Sequence, residues 1–272
     1  MLSIEKNSTP IEPGTTLLFL ADVHLGAGTD SQTRDLEQMV IDLIRYCEDH
    51  KIVPVILGDL FDYWMEYPSG PPPLGEKLLR HFRDYHKRTG NHTLFVTGNH
   101  DNWTFGYLEQ LGFDVEPEYR VLLCDDENIL VLHGDGLQDR NMKIPRPFMH
   151  RLLRNSYFIT IYQKLLSPQS GWKLMRWFSN TSRKHPDHPK CRHKRTLLDN
   201  WAEQKVTNDP DITAVVYGHH HQPRLWQQDG KACLNCGSLS THKTVGLYTN
   251  KTYQLVTWVA DRRILETAHN EG

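Results

Sequence analysis

The sequence has no long hydrophobic run and few cysteines, and each absence excludes a class of protein. No stretch of its 272 residues approaches the roughly 18 consecutive apolar residues of a membrane-spanning helix. The five cysteines are odd in number and scattered, which argues against a disulfide framework. The first 14 residues are polar and lack the apolar segment of a secretory signal. We therefore expect a cytoplasmic protein with reduced thiols.

One pair of cysteines, Cys233 and Cys236, has the CxxC spacing. A zinc finger would need a second pair of cysteines or a histidine pair at suitable spacing, and the sequence has neither. We interpret both cysteines as small buried side chains on a strand and the turn after it.

Charge is distributed unevenly along the chain, although the net charge is only −2. Residues 137–195 carry 14 Lys and Arg residues and two acids, a net of +12, whereas the remaining residues have a net of −14. Aromatic and aliphatic side chains are interleaved with these bases. Such a segment favours an anionic partner, which could be a phosphate ester, an acidic lipid surface or a nucleic acid. We predict a single domain, residues 1–272, with a helical insertion at about 137–195.

Short apolar runs alternate with a helical pattern in the first part of the chain. Residues 17–21 and 52–57 have the composition of buried strands, and apolar residues recur at helical spacing from Leu36 to Cys47 between them. This order predicts right-handed crossovers and a largely parallel sheet, with ligands bound beyond the carboxyl ends of its strands.

The later part of the chain has the pattern of antiparallel strands. Residues 119–123 and 129–133 are separated by a short acidic turn and predict a hairpin. Short β-like segments after Pro223 predict a second, antiparallel sheet that packs on the first.

Five short motifs at the ends of the apolar runs carry metal-binding side chains. Their carboxylate, amide and imidazole groups suit Zn, Mn or Fe without a thiolate. Glycine precedes the ligand in three of them, where the backbone must turn and approach an ion closely. An Asp whose oxygens bind different ions can hold two metals about 3.5–4 Å apart, and Asp59 is the candidate for this role. The motifs are Asp22-Val-His24, Gly58-Asp59, Gly98-Asn99-His100-Asp101, His133-Gly134-Asp135 and Gly218-His219-His220-His221.

In this order the motifs resemble those of the calcineurin-like metallophosphoesterases, over about residues 17–240. The resemblance implies an α/β fold, namely a four-layer α/β/β/α sandwich of two mixed sheets with a helical insertion that forms a lid. It also implies a dinuclear site in which every ligand position is matched, whereas His220 falls on a variable position and has no implied role. One ion would be bound by Asp22, His24, Asp59 and His221, and the other by Asp59, Asn99, His133 and His219.

The same resemblance implies a hydrolase of phosphoester or pyrophosphate bonds with two divalent ions, Mn²⁺ in the first place and Zn²⁺ or Fe²⁺ as alternatives. Two cations that share a water lower its pKa, so that a metal-bridging hydroxide attacks phosphorus while the cations neutralise the developing charge. His100 would lie over the leaving-group oxygen as a proton donor, and Asp101 would orient its imidazole.

Residues 58–64, the spacing of the later motifs and the insertion look like those of the UDP-2,3-diacylglucosamine hydrolases of lipid A biosynthesis. That family cleaves a pyrophosphate bond to give UMP and 2,3-diacylglucosamine 1-phosphate (lipid X), at the cytoplasmic face of the inner membrane. The resemblance implies a UDP-linked acylated sugar as substrate, peripheral contact with an anionic membrane surface and no obligate protein partner. Its best-known members have Arg where this chain has His100, so another lipid pyrophosphate or phosphodiester is an alternative substrate.

Two other interpretations belong to different classes of protein. A nucleic-acid phosphodiesterase would also use a basic, aromatic segment, and its binding would weaken steeply with salt. An inactive binding scaffold would have lost metal ligands, and here none is missing. The insertion itself has two interpretations, since its helices could cover acyl chains or could form a hairpin whose apolar side only packs on the sheet.

Overall fold

Two β-sheets pack face to face at the centre of the fold, and helices cover their outer faces. The computed structural model describes residues 7–182, 189–259 and 264–267, without the side chains of 180–182, 189–195 and 264–267. Residues 183–188 of the predicted insertion therefore lie outside the described residues.

The first sheet has seven strands, in the spatial order β13 (Ile264–Thr267), β12 (Thr252–Val259), β11 (Thr244–Thr249), β2 (Thr16–Leu20), β3 (Ile52–Leu57), β4 (Thr93–Val96) and β5 (Phe113–Glu116). Strands β2 to β5 are parallel to one another, as the alternation of strand and helix predicts. Strand β11 pairs with β2 in the antiparallel direction and continues into β12 and β13. The sheet is therefore mixed.

The second sheet has six strands, in the order β1 (Ser8–Pro10), β6 (Tyr119–Cys124), β7 (Glu127–Leu132), β8 (Ala214–Tyr217), β10 (Lys231–Asn235) and β9 (Arg224–Gln228). The hairpin of β6 and β7 confirms the prediction for that segment. The prediction of a separate antiparallel sheet after Pro223 is wrong. Strand β10 pairs in parallel with β8, and β11 and β12 belong to the other sheet, because the pairing partners are set by tertiary packing.

Eight helical segments connect and cover the strands: α1 (Asp30–Asp49), α2 (Glu76–Thr89), α3 (Tyr107–Gln110), a 3₁₀ turn (Arg140–Met142), α4 (Phe148–Leu153), α5 (Ser156–Leu165), α6 (Pro168–Ser182) and α7 (Pro189–Asn208), counted over the described residues. Helix α1 begins at a capping box in which Thr29 and Gln32 satisfy each other's backbone N–H groups. Its buried side chains include Val40, Leu43 and Cys47 from the predicted apolar stripe.

Three apolar layers hold the sandwich together. The first lies between α1, α2 and the outer face of the first sheet, and the second lies between the two sheets. The third buries Leu198, Ala202 and Val206 of α7 against the outer face of the second sheet. The order helix, sheet, sheet, helix is the four-layer α/β/β/α arrangement that the resemblance implies. The CxxC side chains Cys233 and Cys236 are buried free thiols, as interpreted from the sequence.

The helices α4, α5 and α6 pack on loops that follow strands of the first sheet, and they carry apolar side chains on two sides. The inner side packs Leu153, Phe158, Ile159, Tyr162, Trp172 and Met175 on Met65, Tyr67 and Trp103. The outer side, here called the apolar face, exposes Phe148, Met149, Tyr157, Ile161, Leu165, Trp177 and Phe178. Packing thus accounts for only one side of this segment. Among the described residues, we find no helix with the length and hydropathy to span a membrane.

Candidate metal centre

Each of the five motifs lies directly after the carboxyl end of a central strand. Asp22 follows β2, Asp59 follows β3, Asn99 follows β4, His133 follows β7 and His219 follows β8. The two sheets present these ends to the same side, so residues far apart in the chain meet in one place. This is the location that an open sheet with parallel strands favours for ligand binding.

Left-handed backbone conformations are concentrated at these ligands. The φ angle is positive at Asp22 (51°), His24 (52°), Asp59 (52°), His219 (74°) and His221 (61°). For a residue with a Cβ, the left-handed backbone conformation costs about 1–2 kcal/mol, and such conformations cluster at functional sites. The backbone at these five residues therefore directs their side chains toward one another, at some cost in the stability of the fold.

Glycine at position 98 is required by the close approach of two of these loops. A Cβ on Gly98 would lie 2.7 Å from the backbone nitrogen of Asp59 and would also overlap its carboxylate. No side chain can occupy this position without displacing Asp59, which explains the glycine before Asn99 in sterically simple terms.

Asp59 lies at the centre of the cluster of ligands. Its Oδ2 atom is 3.3 Å from Nε2 of His133, 3.8 Å from Nε2 of His24 and 4.0 Å from Nε2 of His100. Its Oδ1 atom accepts a hydrogen bond of 2.9 Å from the backbone N–H of His100. Three imidazoles thus face one buried carboxylate, which is the position expected of a ligand shared by two ions.

Asp22 lies beside this group and faces two imidazoles. Its Oδ1 atom is 3.3 Å from Nε2 of His221 and 3.8 Å from Nε2 of His24. The Nε2 atoms of His24 and His221 approach each other to 3.0 Å. Its Oδ2 atom accepts from the backbone N–H of His219 at 2.8 Å, which orients the carboxylate.

Asn99, His133 and His219 lie on the other side of Asp59. The Oδ1 atom of Asn99 is 3.3 Å from Nε2 of His133, and the rings of His133 and His219 are 5.1 Å apart at their centres. The Nδ1 atom of His133 donates to the backbone carbonyl of Leu57 at 2.8 Å, so its Nε2 atom is directed at Asp59. All seven predicted ligands are therefore brought together.

The donor set fits divalent ions. Two groups of three side chains each place their ligand atoms within 4.8 Å of one another. One group is Asp22, His24 and His221, and the other is Asp22, Asp59 and His133. The Oδ1 atom of Asp22 and the Nδ1 atom of His24 are buried without a hydrogen-bond partner in the described part of the chain. Buried polar atoms without a partner are costly, and a cation among them would supply the missing interaction.

The pKa values of this cluster have opposing causes. Burial alone would raise the pKa of Asp59, but His133 and His100 outweigh it and hold the pKa well below its usual range. Burial would lower the pKa of His133, yet Asp59 and Asp22 raise that pKa to about 10. Burial and the charge of His133 lower the pKa of His219 to about 3. A concentrated negative charge thus attracts a cation to this site, whether a proton or a metal.

His100 faces the cluster, but its orientation has a different cause from the one predicted. Its Nδ1 atom donates to the backbone carbonyl of Asp62 at 2.8 Å and lies 3.4 Å from Oγ of Ser179. The carboxylate of Asp101 instead accepts backbone N–H groups of Gly98 (2.7 Å), Leu60 (2.8 Å) and, at 3.4 Å, Phe61. Both of its oxygens are used to join the two loops that carry Asp59 and Asn99, so neither contacts the imidazole of His100.

Asp62 is a site residue that the sequence interpretation missed. Besides its carbonyl contact with His100, its Oδ1 atom is 3.7 Å from Nδ1 of His24 and accepts a hydrogen bond of 2.8 Å from Ser179. It lies in the extended motif of residues 58–64, so its spacing after Asp59 was an available signal.

A second missed group surrounds Asp135 beneath the loop of Asn99. Its buried carboxylate is 3.4 Å from Nη2 of Arg154, 3.4 Å from Nδ1 of His150 and 3.6 Å from Nε of Arg146. Burial would raise the pKa of Asp135, but Arg154 and His150 hold it far below the usual range. Two bases of the insertion are therefore internal, which the charge count alone could not reveal.

His220 has a structural role between its two neighbours. Its Nε2 atom is 2.9 Å from Oδ1 of Asp199 in α7 and 3.2 Å from the side-chain amide of Asn235. These contacts fix the loop that carries His219 and His221. The variable position of the motif is thus used here to attach α7 to the metal centre.

The fold and the ligand set together define a metal-dependent phosphoesterase. The calcineurin-like phosphoesterase family profile matches residues 15–223, and the chain belongs to that family. It is accordingly a metal-dependent hydrolase of phosphoester or pyrophosphate bonds.

Two curated relatives share the name UDP-2,3-diacylglucosamine hydrolase. The protein of Proteus mirabilis is 30% identical over 227 residues, which cover 78% of this chain and 84% of the relative. The protein of Pectobacterium carotovorum is 27% identical over 221 residues, with the same coverage of 78% and 84%. Among solved structures, Vacuolar Protein Sorting 29 from Cryptosporidium parvum aligns with a TM-score of 0.43 and 16% identity, over 95% of this chain and 94% of that one.

Proposed function

We propose that this protein hydrolyses the pyrophosphate bond of UDP-2,3-diacylglucosamine and releases UMP and 2,3-diacylglucosamine 1-phosphate. The observation that carries the proposal is the convergence of the seven predicted ligands around the buried carboxylate of Asp59. The names of the relatives from Proteus mirabilis and Pectobacterium carotovorum support the choice of substrate.

We assign two divalent cations to this centre. Asp22, His24, Asp59 and His221 would hold one, and Asp59, Asn99, His133 and His219 would hold the other. When bound, such ions lower the pKa of a water and neutralise charge on the phosphoryl oxygens. The mixture of carboxylate, amide and imidazole is compatible with Mn²⁺, and also with Zn²⁺ or Fe²⁺.

His100 is the proposed proton donor to the leaving-group oxygen. Because its Nδ1–H donates to the carbonyl of Asp62, a second proton on the ring is carried by Nε2. That atom faces the centre, 4.0 Å from Asp59. The imidazolium would deliver this proton to the departing phosphate and would stabilise its charge before transfer.

Asp101 serves the same reaction indirectly. Its three backbone hydrogen bonds hold the loop of Gly98 and Asn99 against the loop of Leu60, and burial followed by the charge of Asp59 raises the pKa of Asp101 to about 6. We propose that it positions Asn99 and Asp59 relative to each other and takes no part in proton transfer.

The apolar face supports a lipid-linked substrate. Tyr157 is 81% exposed and Leu165 is 78% exposed, and neighbouring exposed bases include Arg151, Lys164 and Arg176. Apolar side chains flanked by cations suit acyl chains beneath anionic headgroups. We propose that this face receives the acyl chains and contacts an anionic membrane surface from the cytoplasmic side.

The test compares a lipid and a simple phosphodiester. Turnover of UDP-2,3-diacylglucosamine should exceed that of bis-p-nitrophenyl phosphate by orders of magnitude in kcat/KM. An Asp59→Asn variant should lose hydrolysis of both, because the shared ligand loses its charge. Equal turnover of the two substrates would refute the lipid assignment, and full activity of Asp59→Asn would refute the dinuclear centre.

His100 also supports a second candidate, a related lipid pyrophosphate or phosphodiester, because the family resemblance has Arg at this position. A planar guanidinium binds two phosphate oxygens at once, whereas an imidazole binds one. A panel of lipid pyrophosphates with different headgroups would separate the candidates by kcat/KM. A nucleic-acid substrate would instead show a steep decrease of binding with salt concentration.

A further inference from the structure

A long groove leaves the metal centre on the side of Gly134 and His219 and reaches Asp211 at its far end. It encloses about 1310 Å³, whereas pockets for drug-sized ligands hold about 300–1,000 Å³. Its walls are the loop 136–147 and the part of α7 from Leu197 onward. The space is larger than the metal ions and one phosphate group require.

Helix α7 is fixed next to the metal centre. A Cβ on Gly134 would lie 2.9 Å from the side chain of Leu198 and 3.3 Å from Cβ of His219, so these three residues are in close contact. Asp199 accepts from the hydroxyl of Tyr217 at 2.5 Å and contacts His220 on the same side of the helix. The helix therefore runs outward from the centre and forms one wall of the groove.

Three side-chain amides form a row on the groove side of this wall. Asn200, Gln204 and Asn208 are exposed, line the groove and follow one another at intervals of four residues. The row extends over about 12 Å at the rise of an α-helix. Among the described residues, none forms a hydrogen bond with these three side chains, so their donors and acceptors are available to a ligand in the groove.

The charge of the groove indicates which end receives phosphate. The metal centre attracts anions once it holds cations, whereas the far end carries Asp209 and Asp211, with Lys205 paired to Asp209 at 2.6 Å. A second phosphate is disfavoured at this far end. The groove thus suits a ligand with phosphate at one end and a neutral polar group at the other.

The acyl half of the substrate has a separate approach to the centre. Helix α6 reaches it from the side of His100, where Ser179 donates to Asp62, and Trp177 and Phe178 of the apolar face are close to Ser179 in the chain. Ser179, Trp177 and Phe178 do not line the groove, whereas His100 lies where the groove meets the metal centre. Two distinct surfaces therefore meet at the phosphoryl site, one apolar and one rich in amides.

We propose that the groove between loop 136–147 and α7 binds the nucleoside half of the substrate, with Asn200, Gln204 and Asn208 on the polar edges of the base and ribose. The assignment rests on the proposed function, in which one half of the pyrophosphate is a uridine nucleotide. Uracil has an N–H donor between two carbonyl acceptors, and a side-chain amide matches both kinds of group.

Inhibition by UMP tests the groove without a lipid substrate. The full-length, metal-loaded protein hydrolyses bis-p-nitrophenyl phosphate while UMP and inorganic phosphate are added separately as inhibitors. Asn200→Ala and Gln204→Ala should each weaken UMP inhibition about 3–10-fold, the effect of one lost hydrogen bond. Inhibition by phosphate should remain unchanged. Thr207→Ala, an exposed change on the same helix outside the groove, is the matched control.

The outcomes separate this proposal from the proposed function. Undiminished UMP inhibition in both amide variants overturns the assignment, as does an equal loss of inhibition by UMP and by phosphate. If lipid X inhibition, rather than UMP inhibition, depends on the amides, the groove binds the acyl half and the assignment is wrong. If the wild type does not cleave UDP-2,3-diacylglucosamine but UMP inhibition still requires the amides, the substrate proposal fails and the nucleoside groove stands.

Discussion

Arg154 is a base of the insertion whose removal should destabilise the fold. Its guanidinium donates to the carbonyl of Pro117 at 2.8 Å, to the carbonyl of Gly98 at 3.0 Å and to Oγ1 of Thr97 at 3.2 Å. It also lies 3.4 Å from the buried carboxylate of Asp135, and only 11% of its side chain is exposed. It thus connects α4 to the loop that carries Asn99.

The expected cost of Arg154→Met follows from these contacts. Removal of one partner of a buried ion pair costs about 3–5 kcal/mol, because the other charge is left buried. Asp135 retains Arg146 at 3.6 Å and His150 at 3.4 Å, which reduces the loss. We expect a decrease of about 2–4 kcal/mol in the free energy of unfolding. A large domain loses about 2–4 °C in Tm per kcal/mol, so Tm should fall by roughly 4–16 °C.

Urea and thermal unfolding followed by circular dichroism, with a chelator present, measure this effect without a contribution from metal binding. Arg151→Met is the matched control, since Arg151 lies in α4, three residues before Arg154, and is exposed. The control should change the free energy of unfolding by less than about 0.5 kcal/mol. Equal stability of the two variants would show that Arg154 behaves as a surface cation and would refute the reasoning.

Two further predictions concern the ligand loops and the pH dependence of stability. Gly98→Ala should reduce metal-dependent hydrolysis at least 100-fold, because the added Cβ displaces Asp59. In the same assay Gly28→Ala should retain activity, because its added Cβ meets only the flexible side chain of Gln32. Comparable activities of the two variants would contradict the steric argument. Burial lowers the pKa of His86, whose imidazole forms a hydrogen bond with the hydroxyl of Thr93. As the pH falls, the unfolded chain therefore binds a proton at this residue before the folded protein does. The free energy of unfolding should consequently decrease as the pH falls below about 6.5. Urea unfolding of His86→Gln between pH 7 and 5 should show a shallower pH dependence than the wild type, and parallel curves would refute the assignment.

The residues of the candidate metal centre were largely predictable because they lie in short motifs of the sequence. Each ligand directly follows an apolar run, and a buried strand that ends in a polar motif places that motif at one edge of its sheet. The ligands of both proposed ions could therefore be named before any contact was known. The role of Asp101 could not, because its carboxylate is held by backbone N–H groups of Leu60 and Phe61, some 40 positions away.

The amino-acid composition of the insertion does not show which of its basic side chains face solvent. Arg146 and Arg154 count toward the basic segment, yet they are paired with Glu118 and Asp135 inside the protein. Whether a base faces solvent depends on which acid the fold brings beside it. A net charge therefore predicts a surface only after such pairs are known.

The sequence by itself determined the parallel strands of the first sheet, the apolar stripe of α1, the β6–β7 hairpin and the candidate ligand residues, because each depends on periodicity or on a short motif. Only the tertiary structure decided which sheet contains β9 to β12, how Asp62 orients His100, and that α7 and loop 136–147 enclose a groove beside the candidate metal centre. These features depend on contacts between residues that are distant in the chain. Local patterns report that a side chain is buried or polar, but the partner it meets is set by how the elements pack.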